Sequence, residues 1–158
     1  MRKIIYRGRD KNGIWHEGSY VCLNSAHHRI YMGYPDPKAE YIYPDWYSVD
    51  PETVGQYTGL KDKNDQKIFE GDILKFGAYN VQVYWNDETF SWEATKCENK
   101  YDGYRHFQGK PEEWDDIYLG WIAAEIPITG QMTTEIIGNI YDNPELIEKK
   151  EHIIYDLF

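Results

Sequence analysis

Residues 66–95 run through "QKIF", "DILKFG", "NVQVYW" and "TFSWEAT", four short segments parted by turn-forming Gly, Asn and Asp. Val81, Val83 and Trp85 alternate with Asn80, Gln82, Tyr84 and Asn86, the period-two pattern of a strand with one buried face. Strands this short and this closely spaced lead to a small barrel. Composition pulls the same way. Aromatic residues make up 16% of the 158 positions, with fifteen Tyr and six Trp, while Met, Leu and Ala are scarce. Such side chains favour pleated, half-buried surfaces. They are expected to build cores and cross-strand pairs, with an exposed stacking platform as the alternative use.

Around that centre the chain divides unevenly. "KIIYRGR" and "IWHEGSYV" flank "DKNG", whose Asn-Gly pair suits a tight hairpin turn. Residues 24–53 hold Pro35, Pro37, Pro44 and Pro51. Proline lacks the ladder donor, so this segment reads as mainly irregular, with short edge strands at 29–32 and 40–43. Residues 96–116 show no period and read as a long insertion, spanning about 95–120. "TTEIIGNIYD" supplies a last strand. In "NPELIEKK", Asn143 is placed as an N-cap, Pro144 at the first helical position and Glu145 in the first turn, which predicts a short C-terminal helix. Two regions follow: 1–48, an N-terminal β-hairpin with a Pro/Tyr-rich linker, and 49–158, the barrel with its insertion and helix.

The most patterned stretch is "TGLKDKNDQKIFEGDIL", residues 58–74, with Asp62, Asn64, Asp65, Glu70 and Asp72. As a calcium loop it fails. Counting from Asp62, the sixth position requires Gly and has Lys67, and the twelfth requires Glu and has Ile73. Glu70 and Asp72 share a strand face, yet Gly71 between them marks a bend, so a catalytic carboxylate pair is disfavoured. A turn is the better reading. "GRDKNGIWHEG" near the N-terminus and "GLKDKNDQKIFEG" here share Gly, a basic residue, Asp-Lys-Asn, an aromatic and Glu-Gly. Asp and Asn fold back onto the local backbone, so Asp-Lys-Asn closes a hairpin in both places.

Charge and cysteine content narrow the function classes. The net charge is −10, with 11 acids and 11 Lys or Arg in residues 1–84 but 16 acids and 6 bases in residues 85–158. A duplex-DNA binder normally presents a basic face. Here the basic residues Arg2, Lys3, Arg7, Arg9 and Lys11 do not all share one strand face. Cys22 and Cys97 are the two cysteines and have no CxxC spacing, which suits a reducing compartment. No signal-peptide run and no stretch near the roughly 18 apolar residues of a membrane span is present. A cytoplasmic location and no membrane partner are expected. No Gly-rich phosphate loop, GxSxG elbow or HExxH motif occurs, and His27-His28 would point to opposite strand faces. The expectation is no enzyme, no cofactor and no metal.

"VDPETVGQYTGLKDKNDQKIFEGDIL" (49–74), "VYW" (83–85) and "EIIGNIYDNPEL" (135–146) resemble the YopX family of phage and prophage proteins. "KIIYRGRDKNGIWHEG" is similar to that family's usual start. The resemblance implies a β-rich protein with an SH3-like barrel in its later part and a smaller N-terminal β element. It also implies a phage or prophage gene expressed in a bacterial cytoplasm, and it carries no catalytic or binding residues. Asp65 departs from the family's usual Gly at this turn, so a local difference in turn geometry is expected.

Surface candidates come from the aromatic-proline segment and the acidic loop. Tyr34, Tyr41, Tyr43, Trp46 and Tyr47 would form either a contact surface or a belt packed on the barrel. Trp114 in "PEEWDD" is an anchor within a solvated acidic loop. The leading expectation is a non-enzymatic interaction module that binds a protein partner of unknown identity and self-associates as a homo-oligomer. The alternatives are single-strand nucleic-acid binding through basic and aromatic residues, or acidic mimicry of nucleic acid against a host DNA-binding protein.

Overall fold

The computed structural model describes residues 4–33, 45–76, 79–96, 116–118 and 134–147. Mainly β structure is found, in two antiparallel sheets. The chain forms two compact units, residues 1–61 with 65–70 and residues 62–64 with 71–158.

The first unit contains β1 (Tyr6–Arg9), β2 (Trp15–Asn24), β3 (His27–Tyr31), β4 (Trp46–Ser48), β5 (Gly55–Lys61) and β6 (Lys67–Phe69). Their order across the sheet is β4-β3-β2-β1-β5-β6. The expected hairpin joins β1 to β2. Asp10 Oδ1 accepts the amides of Asn12 at 2.8 Å and Ile14 at 3.0 Å, and Gly13 takes the left-handed φ of 84°. The strand expected at 29–32 exists as β3 but lies inside the sheet, and the one expected at 40–43 falls outside the described residues. Residues 49–61 and 65–70, placed with the second region from sequence, group here with the first unit, where β5 and β6 join its sheet. Pro51 opens a single 3-10 turn capped by Asp50, whose carboxylate accepts the Glu52 amide at 3.0 Å. On one face Ile30, Val49 and His16 are buried, with Val49 seated over the bare Cα of Gly8.

The second unit contains β7 (Asp72–Phe76), β8 (Tyr79–Asn86), β9 (Ser91–Lys96), β10 (Asp116–Tyr118) and β11 (Glu135–Asn139), ordered β10-β9-β8-β7-β11. The alternation read from the sequence has its physical basis here. Val81 and Val83 are fully buried beside Leu74 and Ala94, whereas Gln82 and Tyr84 on the other face keep partial contact with water. Asp62 is fully buried within this unit. Its Oδ1 accepts the Asn64 amide at 2.8 Å and its Oδ2 accepts the Ile136 amide at 3.1 Å, while the Lys63 amide donates to the Thr134 carbonyl at 3.0 Å. The stretch is therefore a turn, as expected, and its first Asp also anchors the start of β11. Asp65 itself adopts φ 64°, so the left-handed corner is kept without Gly.

Two expectations are not met among the described residues. The SH3-like barrel is not found as a closed structure: β10 and β11 end the strand order, and no ladder joins them among the described residues. Closure would need that further ladder, and β10 offers only three positions for it. The short C-terminal helix is also not seen. Pro144–Leu146 forms one 3-10 turn, and Asn143 makes no side-chain cap. Its Oδ1 instead accepts the Asn139 amide at 3.3 Å, which diverts the capping acceptor backward to β11. The remainder of the expected helix, from residue 148 on, lies outside the described residues.

Candidate functional site

Of the surface residues singled out from the sequence, Trp46 and Tyr47 are described. Tyr34, Tyr41, Tyr43 and Trp114 lie outside the described residues. Trp46 and Tyr47 occupy β4, the terminal strand of the six-stranded order, and remain 45% and 40% exposed. As strand neighbours they project to opposite faces. Each is held by a partner on its own face. The Arg29 guanidinium lies 3.8 Å from the centroid of the Trp46 ring, and Tyr47 stacks on His16 at 3.8 Å with planes 8° apart. His16 Nε2 is 3.1 Å from Asp10 Oδ2. That hydrogen bond, helped by the Ile14 amide, holds the Asp10 carboxyl below the usual carboxylate range.

The strand register explains why these groups meet. Ile30 faces Tyr47 and Tyr31 faces Trp46 across β3 and β4, while Gly8 faces His16 and Tyr20 faces Ile30 further in. One face thus collects His16, Tyr20, His28 and Tyr47. The other collects Arg7, Trp15, Arg29, Trp46 and Phe69. On that second face Arg7 sits 4.8 Å from the Trp15 ring and 5.0 Å from the Phe69 ring, and donates to the Glu70 carbonyl at 3.2 Å. Lys67 pairs with Glu17 at 2.6 Å. His27 and His28 have separate partners, Asn24 Oδ1 and the Tyr20 hydroxyl.

The edge of β4 has a defined polarity. The Met32 amide donates to the Asp45 carbonyl at 2.9 Å, and the Val49 amide donates to the His28 carbonyl at 3.0 Å. Bonded positions alternate in an antiparallel ladder, so Asp45, Tyr47 and Val49 turn their backbone groups toward β3. Trp46 and Ser48 turn theirs outward, where no described strand lies.

A family profile, described as YopX protein, matches residues 6–148. The chain belongs to the YopX family. No curated protein matches it. The YopX match takes in every strand from β1 to β11 and the 3-10 turn that follows.

A polar cluster in the second unit is the other notable site. Glu93 is 6% exposed, and its carboxylate accepts from the Tyr84 hydroxyl at 2.9 Å, Asn86 Nδ2 at 2.9 Å, the Thr89 hydroxyl at 2.6 Å and the Ser91 hydroxyl at 3.3 Å. Burial pushes the Glu93 carboxyl up, but these four hydrogen bonds together outweigh it and leave the group below its ordinary value. A charged carboxylate fixed by neutral donors locks the β8–β9 corner. Among the described residues no group of three or more His, Cys, Asp and Glu is arranged to hold a metal ion, and no helix is long and apolar enough to cross a membrane.

Sequence reasoning singled out Trp46 and Tyr47 and did not single out Arg29 and His16, which the structure sets against them. Alternation gives the face each would take. The cross-strand register that sets Arg29 against Trp46 is not written in either local segment.

Proposed function

We propose that this YopX-family chain is a phage or prophage accessory protein that acts in the bacterial cytoplasm as a non-enzymatic interaction module, taking a protein partner along the outer edge of β4. One observation carries the reading. An edge strand shows two large aromatic side chains, one on each face, each backed by a polar partner, beside outward-facing backbone groups at Trp46 and Ser48. Tyr and Trp supply contact area at low entropic cost, and an open strand edge accepts an added strand through its main chain. A second copy of the chain is one partner such an edge would accept, which makes a homo-oligomer part of the proposal. Closure of the second sheet into an SH3-like barrel is compatible with this role and is not required by it.

The second reading is single-strand nucleic-acid binding, favoured by Arg7, Arg29, Trp15 and Trp46 sharing a face. Several of the cations it would need are committed elsewhere: Lys61 to Asp65, Lys63 to Glu135, Lys67 to Glu17 and Arg7 to the Glu70 carbonyl. Polyanion affinity rises with the number of phosphates neutralised, so this reading ranks below the first. Acidic mimicry of nucleic acid rests only on the charge of residues 85–158.

The test is capture of partners by the tagged full-length chain from host lysate, with and without nuclease, beside a Ser48→Pro variant that removes an outward amide. A protein retained in both nuclease conditions and lost with Ser48→Pro supports the module. Loss on nuclease treatment alone moves the nucleic-acid reading to the front.

A further inference from the structure

We propose that Arg29, shelved on Trp46, is a carboxylate receptor, and that it selects an extended peptide bearing an Asp or Glu as the strand added beside β4. This rests on the edge-binding reading and deepens it. Arg29 is half-buried on β3, its Nε is buried and has no hydrogen-bond partner, and no acidic side chain pairs with it among the described residues. Its cross-strand neighbours are Val21 on β2 and Ser48 on β4, neither of which carries a charge. Other cations of the same sheet are matched internally, Lys67 by Glu17 at 2.6 Å and Lys61 by Asp65 at 2.7 Å. Arg29 differs from them: among the described residues its guanidinium is matched by no carboxylate and lies over the Trp46 ring.

That contact prepares the group for a planar ligand. A guanidinium held over a ring face meets the ring through its flat side, and its terminal N–H donors, directed along its own plane, would be left for a carboxylate in a bidentate pair. Among the described residues, Ser48 alone stands between Arg29 and the outer edge of β4, and its side chain is small. A strand added beside β4 would lie about 4.8 Å beyond it. Its residue opposite Ser48 would point to the Arg29 face, within joint reach of an arginine and an acidic side chain. Charge complementarity therefore names the occupant as an acidic extended segment. A nucleic-acid strand would need several uncommitted cations in a row, and the committed lysines of this sheet argue against it.

The experiment uses the full-length chain labelled with nitrogen-15, read at the Arg29 Nε–H, the Trp46 indole N–H and the β4 amides. The probes are a blocked nine-residue Thr-rich peptide with Glu at its centre, the same peptide with Gln there, and a twelve-residue oligothymidine. The Glu peptide is expected to shift the Arg29 and Trp46 signals saturably, and the Gln peptide to bind at least about 10-fold more weakly. Arg29→Lys, which keeps the charge and loses the fork, is expected to weaken the Glu peptide about 10-fold and leave the Gln peptide unchanged. Equal binding of both peptides, with loss of both on Ser48→Pro, would overturn the carboxylate receptor and leave the edge reading standing. If neither peptide moves the β4 amides at millimolar concentration, both readings fail. A stronger response to oligothymidine than to the Glu peptide would replace the peptide ligand by nucleic acid.

Discussion

Asp10 and Asp62 each accept the amide of an Asn two residues on, at 2.8 Å in both cases, and differ in what the second oxygen does. In Asp10 it meets His16; in Asp62 it meets the Ile136 amide. The Asp-Lys-Asn turn was legible in the sequence because its chemistry is local. The second bonds were not, since His16 and Ile136 are brought there by tertiary structure. The difference sets unequal costs. Asp62→Ala leaves a part-buried backbone amide of β11 without its acceptor, and is expected to cost roughly 2–3 kcal/mol in urea unfolding, with a smaller loss for Asp10→Ala at the first hairpin. Glu93 gives a pH prediction of definite sign. Its folded carboxyl titrates below its unfolded value, so its stabilisation is complete above the ordinary glutamate range and is lost as pH falls through the lower, folded pKa. Glu93→Gln is expected to lower stability at pH 7 by about 1–2 kcal/mol and to flatten the fall between neutral and acid pH. Unfolding midpoints of both proteins across pH 3–7 check this.

At the scale of elements, the strands themselves were readable as short apolar and aromatic runs between turn residues, with strict alternation in β8 and β9. β7, β8, β9 and β11 fall on "DILKFG", "NVQVYW", "TFSWEAT" and "TTEIIGNIYD". Pairing order was not. Placing β1 between β2 and β5 requires contacts between residues far apart in sequence, such as Tyr6 with Gln56, which no local pattern encodes. The "NPELIEKK" segment shows how a correct local signal loses: Pro144 does begin a turn, but the Asn143 side chain bonds back to Asn139. β2 and β3 approach closely at Gly18, where an added Cβ would collide with the Tyr31 carbonyl oxygen and press on Ile30. Gly18→Ala is therefore expected to destabilise the first unit by roughly 2 kcal/mol or more and to raise amide exchange in β3 and β4 before β1.

For the whole molecule, charge and exposed aromatic surface are distributed unequally along the chain. The acidic excess lies in residues 85–158, while the exposed aromatic pair and its backing groups lie on a sheet built from residues with balanced charge. On the proposed reading, the unit that carries β4 would need no strong field to meet a partner, and main-chain pairing with aromatic burial would supply the contact. Hydrogen–deuterium exchange of the full-length chain, alone and with the protein it captures, tests this most directly. The account predicts that the amides of Trp46 and Ser48 exchange quickly in the free chain and slow at least tenfold in the complex. Unchanged exchange at these two amides, with protection appearing only elsewhere in the chain, would contradict it.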